Sequence, residues 1–392
     1  MDWSKNCYIP HHGFTVEPDT GNLSFCCMDN TTTSFNSKPR LEQFNLREVD
    51  DLQEWWSQHY QQVWKAYEEQ RQDEFYPCYK CFGKNRMKKN NVFQSYEYNL
   101  KSGKNKWRYE KGAENKVRFI ELAASNICNQ MCVMCSGRHS NQWFKYDADF
   151  MHDKSTLFRF TDDDYNKIVK LLPDLDVMVV KGGDCFADQK HIDLMEKCSE
   201  LNPDCNIRIT TNLQGLRKSH LNMLSKLKHL DVMVSVDGTH ELYNWIRGGD
   251  FDRVTKNMQM FYDATGLKIG ITITITVYNY FSLESIFEYF YHKEYINWIQ
   301  CHNLVTFPWW CSIQYLPDDI VEKQLEKYLR LGSEYGKRTT FRDFFDPMSH
   351  YKANEYKDWL HNLWLYTDKM NKIRGFNVLD YTPELKNLLQ EL

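Results

Sequence analysis

Three closely spaced cysteines define the chemistry this chain is equipped for. Cys128, Cys132 and Cys135 form a Cys-x3-Cys-x2-Cys pattern in the run Ile127-Cys128-Asn129-Gln130-Met131-Cys132-Val133-Met134-Cys135. Thiolates bind soft metals and iron–sulfur clusters. Three on one loop fill three corners of a cubane cluster and leave its fourth iron without a protein ligand. Clusters that only move electrons normally take four cysteines, whereas an open metal position admits an exogenous ligand. Zinc is the competing occupant. Its usual pattern adds a second pair further along, and none follows closely here.

A second group lies upstream: Cys7, Cys26 or Cys27, then Cys78 and Cys81. Its first part reads Cys7-x13-Gly21-x4-Cys26. Residues 14–25 read as a hairpin with Pro18-Asp19-Thr20-Gly21 at its turn, which returns Cys26 toward Cys7. Cys78 and Cys81 form a Cys-x2-Cys knuckle after Pro77. Four thiolates suit a fully ligated iron–sulfur cluster and structural zinc equally. Spacing does not choose between Cys26 and Cys27. Cys198 shares a helical face with Ile192 and Met195 and reads as core. Cys205, Cys301 and Cys311 are isolated, and Cys185 stands beside a candidate loop. The pairs His11-His12 and Trp309-Trp310 read as structural.

The elements that must position these groups follow from alternating texture. Strands are expected at 117–123, 177–181, 206–211, 231–237, 268–278 and 297–305, and helices near 162–172, 188–201, 217–228, 251–264 and 282–293. Strand–helix alternation implies an α/β fold with a parallel sheet and right-handed crossovers. Six strands over about 190 residues suit an open or partial barrel. Such sheets bind ligands at the carboxyl ends of their strands, and the cysteine triad follows the first barrel strand directly. Other polar groups recur just beyond strand ends: Lys181-Gly182-Gly183-Asp184, Thr210-Thr211-Asn212, Ser235-Val236-Asp237-Gly238 with Arg247, and Asn279. Each alone is an ordinary turn or cap. Together, a carboxylate for an amine and a guanidinium for a carboxylate would grip an amino acid, and serine and asparagine suit ribose hydroxyls.

Four regions emerge: a small cysteine-rich unit at 1–90, a polar lysine-rich linker at 91–116, the barrel at 117–316 and a helical extension at 317–392. In the first, Leu52, Trp55, Trp56, His59, Tyr60, Val63 and Tyr67 recur at helical spacing.

Composition bounds the class. The 392 residues contain 49 Lys and Arg against 53 Asp and Glu, a formal charge of -4. That balance argues against wholesale nucleic-acid or anionic-membrane binding. A hydrophobic fraction of 42% supports a real core. No apolar run approaches the roughly 18 residues of a membrane helix, and no apolar leader opens the chain. A cytoplasmic setting is expected, where thiols stay reduced, so the 13 cysteines read as ligands and packing rather than disulfides.

The sequence resembles the radical S-adenosylmethionine (SAM) enzymes. The signature is Cys128-x3-Cys132-x2-Cys135 after a strand; Lys181-Gly182-Gly183-Asp184 is similar to the family's Gly-Gly-Glu segment, with Asp in place of Glu. Ser235-Val236-Asp237-Gly238 with Arg247 resembles the fourth-strand segment of the peptide-modifying branch. The cysteines Cys7, Cys26, Cys78 and Cys81 resemble the auxiliary-cluster module called SPASM, or its shortened twitch form, here placed before the barrel rather than after it. Met134 stands where the family usually has an aromatic residue; a backbone contact to adenine from that position needs no ring.

The resemblance implies a partial (β/α)6 TIM-like barrel. It also implies a [4Fe-4S] cluster on Cys128, Cys132 and Cys135, whose open iron chelates SAM, and a second cluster on the N-terminal cysteines. Gly182, Gly183 and Asp184 would hold the SAM amine. Ser235, Asp237 and Arg247 would meet ribose or carboxylate, and Asn212 and Asn279 would serve the same site. The implied activity is reductive cleavage of SAM to a 5′-deoxyadenosyl radical that abstracts hydrogen from a peptide, protein or small molecule. A flavodoxin- or ferredoxin-like donor would supply the electron. The alternatives are a zinc-stabilised binding module without catalysis, and a radical SAM barrel with a zinc-held docking unit.

Overall fold

The computed structural model describes residues 12–24, 44–71, 116–146, 156–305, 307–335 and 355–390. Cys7, Cys26, Cys27, Cys78 and Cys81 lie outside the described residues, as does 91–115. Two compact units result: Met1–Ile127 with Ser155–Ile209 and Lys226–Leu230, and Cys128–Lys154 with Thr210–Ser225 and Asp231–Leu392.

The first unit begins with the expected hairpin. Strands β1 (Gly13–Val16) and β2 (Asn22–Ser24) pair antiparallel, Thr15 opposite Ser24. At the turn, Gly21 N–H donates to the Glu17 carbonyl at 3.1 Å. Strand β3 (Phe44–Asn45) joins the outer side of β2. The aromatic residues at helical spacing lie on two helices, α1 (Leu52–His59) and α2 (Gln61–Glu68), separated at Tyr60. Trp56 and Tyr60 are buried in its core.

Strand β4 (Phe119–Leu122) then pairs in parallel with β1, Gly13 opposite Phe119. The described part of the N-terminal region thus extends the sheet that holds the first barrel strand. Strands β5 (Val177–Val180) and β6 (Asn206–Thr211) continue it, also parallel. Their connections are α3 (Asp162–Val169), opened by a Thr161/Asp164 capping box, and α4 (Gln189–Leu201), capped by Asp188.

The second unit contains α5 (Lys218–Leu224), β7 (Leu230–Ser235), α6 (His240–Arg247), α7 (Phe251–Thr265), β8 (Ile269–Ile275), α8 (Leu283–Phe290) and β9 (Ile296–Leu304). β7, β8 and β9 are parallel, Val234 opposite Ile271 and Ile271 opposite Ile299. In β8, isoleucines alternate with Gly270, Thr272 and Thr274, and the four isoleucines are all fully buried. α7 starts on an Asp250 side-chain cap and ends at Gly266, in the left-handed region at φ 67°. The C-terminal region is helical: α9 (Asp318–Tyr335), α10 (Tyr356–Arg374) and α11 (Pro383–Leu389). The class is therefore α/β, a mostly parallel sheet with crossover helices and a helical C-terminal region. Among the described residues no helix is long and apolar enough to cross a membrane.

Candidate active site

The second unit holds the cysteine loop. Cys128 and Cys132 are buried and Cys135 is half-buried. The loop is pinned from several sides. Asn141 Oδ1 accepts from Cys128 N–H at 3.0 Å, and Gln142 Nε2 donates to the Cys128 carbonyl at 2.9 Å. Ser140 Oγ donates to the Gln130 carbonyl at 2.5 Å. Cys135 N–H donates to the Cys132 carbonyl at 3.0 Å, which closes the last turn of the motif.

The Cys128 sulfur receives donors of its own. Gln130 N–H lies 3.4 Å and Asn212 Nδ2 3.7 Å from Cys128 Sγ. Asn212 also donates to Asn129 Oδ1 at 2.7 Å. The turn that aims Asn212 is strained: Leu213 sits at φ 59°, its N–H held by Thr211 Oγ1 at 2.9 Å. Burial pushes the Cys135 thiol well up, and the charges of Cys132 and Cys128 push it further. Three thiolates so placed repel one another in a dry site. A cationic iron centre resolves that repulsion and deprotonates its ligands, so the donor set fits a thiolate-bound cluster. Among the described residues, no three His, Cys, Asp or Glu side chains converge on a point for a single metal ion. A cubane cluster places no such demand, since each thiolate binds a different iron.

Behind the loop is a buried polar network. Arg247, at the end of α6, donates from Nη1 to Asp237 Oδ2 at 2.5 Å and from Nε to Gln130 Oε1 at 3.2 Å. Gln130 Nε2 donates in turn to Tyr243 Oη at 3.3 Å. Thr274 N–H donates to Asp237 Oδ1 at 2.6 Å. Asn279, fully buried, donates to the Asp237 and Thr274 carbonyls at 2.9 and 3.0 Å and accepts from Thr276 N–H at 2.8 Å. Burial acts against the charge on Arg247, but neighbouring Cys132 and Asp237 outweigh it and raise its pKa. Burial raises the Asp237 pKa, with Arg247 and the Thr274 N–H opposing.

Asp237, Arg247 and Asn279 are therefore brought together, and the groups named here are spent on one another and on the cysteine loop. Ser235, at the end of β7, is half-buried and makes no hydrogen bond from its hydroxyl to any described residue. Met134 is half-buried within the loop.

The Gly-Gly-Asp turn belongs to the first unit. Gly182 and Gly183 have φ of 85° and 37°. A Cβ on Gly183 would lie 1.9 Å from the Ile127 carbonyl oxygen, and one on Gly182 would lie 2.2 Å from Ala123 Cβ. Both the backbone angles and the crowding demand glycine. Asp184 N–H donates to the Ile127 carbonyl at 2.9 Å, the residue preceding Cys128 in the chain. Its buried side chain accepts from Phe186 N–H at 3.0 Å. Lys181 pairs with buried Glu121. His191, fully buried, accepts from Ala124 N–H at 2.9 Å through Nε2. Burial lowers its pKa to about 4, against the opposing charge of Asp188.

Residues 122–290 match the family model described as the Radical SAM superfamily. This segment is a radical SAM domain. Among solved structures, native anSMEcpe with bound AdoMet aligns at 19% identity over 66% of this chain and 62% of its own, with a TM-score of 0.38. Streptococcus suis SuiB bound to precursor peptide SuiA aligns at 16% identity over 83% and 70%, with a TM-score of 0.44. A radical SAM methyltransferase from Sphaerobacter thermophilus aligns at 11% identity over 47% and 58%, with a TM-score of 0.32. The chain thus spans 62% of the length of anSMEcpe. No curated protein matches it.

Several residues that build the site of the radical SAM domain carry no sequence signal of their own. Gln130 occupies one of the positions between the cysteines that the motif leaves unspecified, and Tyr243 lies on α6, a helix outside the five expected from the sequence. The period of Leu242, Trp245 and Ile246, all buried, would have exposed that helix. Ser140 before Asn141 and Gln142 is a recognisable cap, accepting from Gln142 N–H at 3.3 Å.

Proposed function

We propose that this chain is a radical SAM enzyme acting on a peptide or protein, with a second iron–sulfur centre on Cys7, Cys26, Cys78 and Cys81. The observation that carries the first part is the triad of buried Cys128 and Cys132 with half-buried Cys135 on one pinned loop, with hydrogen-bond donors aimed at Cys128 Sγ. When bound, a [4Fe-4S] cluster and SAM supply reductive cleavage of the sulfonium bond and a 5′-deoxyadenosyl radical able to take hydrogen from a substrate.

The chain's own residues position and shield. The three thiols are the cluster ligands. Gly182 and Gly183 let backbone approach the SAM amine, and Asp184 supplies the carboxylate for it. Ser235 offers a hydroxyl to ribose, and Met134 offers its backbone to adenine. Asp237, Arg247 and Asn279 keep the fourth-strand end and the cluster loop in one arrangement. Asn212 donates to Cys128 Sγ. The buried walls exclude water from a reactive intermediate. A peptide substrate is favoured by the likeness of 235–238 and Arg247 to the peptide-modifying branch. A cytoplasmic setting and a small electron-transfer protein as donor complete the proposal.

The second centre is tested by counting iron after anaerobic reconstitution. Two clusters predict about eight irons per chain, and replacing Cys78 and Cys81 with Ala halves that number. Unchanged iron in that variant contradicts the second cluster.

A further inference from the structure

The helix α10 lies beyond the matched segment 122–290, and two of its side chains grip the backbone of the cysteine loop. Arg374 donates from Nη2 to the Met131 carbonyl and from Nε to the Trp245 carbonyl, the latter at 2.8 Å. Tyr366 is fully buried, and its hydroxyl donates to the Val133 carbonyl at 2.7 Å. Met131 and Val133 flank Cys132, so both neighbours of this thiol are fixed by one helix. Val133 N–H is held in turn by the Ile246 carbonyl at 2.8 Å. The helix is docked on α6 by Trp245 Nε1, which donates to Asn371 Oδ1 at 2.9 Å. Gly248 ends α6 at φ 64°, and a Cβ there would lie 2.7 Å from Arg374 Nη1. The glycine therefore leaves room for the guanidinium as well as closing the helix.

From this geometry we infer that Arg374 and Tyr366 are positioning residues for the cluster: the pair fixes the loop around Cys132, and Arg374 places a cation beside that ligand. The inference rests on the radical SAM reading above. An arginine stays charged when buried. A fixed positive charge next to a thiolate-bound cluster favours the reduced, more negative form, because electrostatic interactions are weakly screened in a dry site. Helix α10 thus tunes how readily the centre accepts its electron.

The test uses the full chain and its Arg374→Met, Arg374→Lys and Tyr366→Phe variants, each reconstituted anaerobically with iron and sulfide. The midpoint potential is followed on the electron paramagnetic resonance signal that changes when SAM is added. Iron release to a chelator is timed in parallel. Arg374→Met is expected to shift the potential to more negative values, and Arg374→Lys to restore it. Tyr366→Phe is expected to lose iron about fivefold faster, the effect of one hydrogen bond. An Arg374→Met potential equal to wild type, or an Arg374→Lys potential displaced as far as Arg374→Met, overturns the role of Arg374. If Arg374→Met does not fold, wild-type iron release from Tyr366→Phe overturns the clamp. A wild-type chain that takes up no iron overturns the radical SAM reading itself, before any variant is compared.

Discussion

Arg247 joins Asp237 to the cysteine loop: one guanidinium donates to Asp237 Oδ2 at 2.5 Å and to Gln130 Oε1 at 3.2 Å. Asp237 is fully buried and the Arg247 side chain is 11% exposed. Removing one partner of such a pair strands the other charge away from water, at a cost of about 3–5 kcal/mol. Asp237→Asn should therefore lower unfolding free energy by about that amount in urea titrations. Replacing both residues with apolar ones should cost less than either single change. A double variant as unstable as the sum of its singles would show that the two charges do not act as a pair.

The Gly-Gly-Asp turn makes a sharper steric prediction. Gly183→Ala places a methyl 1.9 Å from the Ile127 carbonyl oxygen at φ 37°. The turn must move, at a cost of about 2 kcal/mol or more. SAM affinity should fall with it, while Asp184→Asn should weaken SAM and leave the melting temperature nearly unchanged. Calorimetric titration with SAM and thermal melts of both variants check this. Wild-type SAM binding by Gly183→Ala contradicts the placement.

His191 gives a pH dependence. Its folded pKa of about 4 lies below the ordinary 6.5, because burial disfavours the charged ring. The unfolded chain takes up the proton first as pH falls. Stability fully present above pH 6.5 is thus lost progressively down to pH 4, by about 2 kcal/mol at pH 5. His191→Gln keeps an acceptor for Ala124 N–H and does not titrate. Urea titrations at pH 7 and pH 5 should show a smaller loss in the variant by that amount. Equal losses in both proteins would remove His191 as the cause.

Much of the fold was legible because β-branched alternation and strand–helix spacing are local signals. β6 begins and ends as expected at 206 and 211, and the five anticipated barrel helices all form. The cysteine motif was legible because three thiols in eight residues have few structural uses. What sequence did not show was commitment. Arg247, Asp237 and Asn279 stand just beyond strand ends, and nothing in their spacing shows that they also bond to one another, through contacts 10 and 42 residues apart. Arg374 and Tyr366 escaped because their partners, the Met131 and Val133 carbonyls, are backbone atoms more than 230 residues away. No side-chain pattern encodes a carbonyl acceptor.

SAM cleavage by this chain is tested most directly by one measurement: 5′-deoxyadenosine formed from SAM by the anaerobically reconstituted and reduced protein. The wild-type protein is predicted to be brown from its cluster and to produce 5′-deoxyadenosine. The triple variant with Ala at 128, 132 and 135 is predicted to produce none. No product from the wild type, under conditions where a control radical SAM enzyme forms it, or equal product from the triple variant, would contradict the assignment.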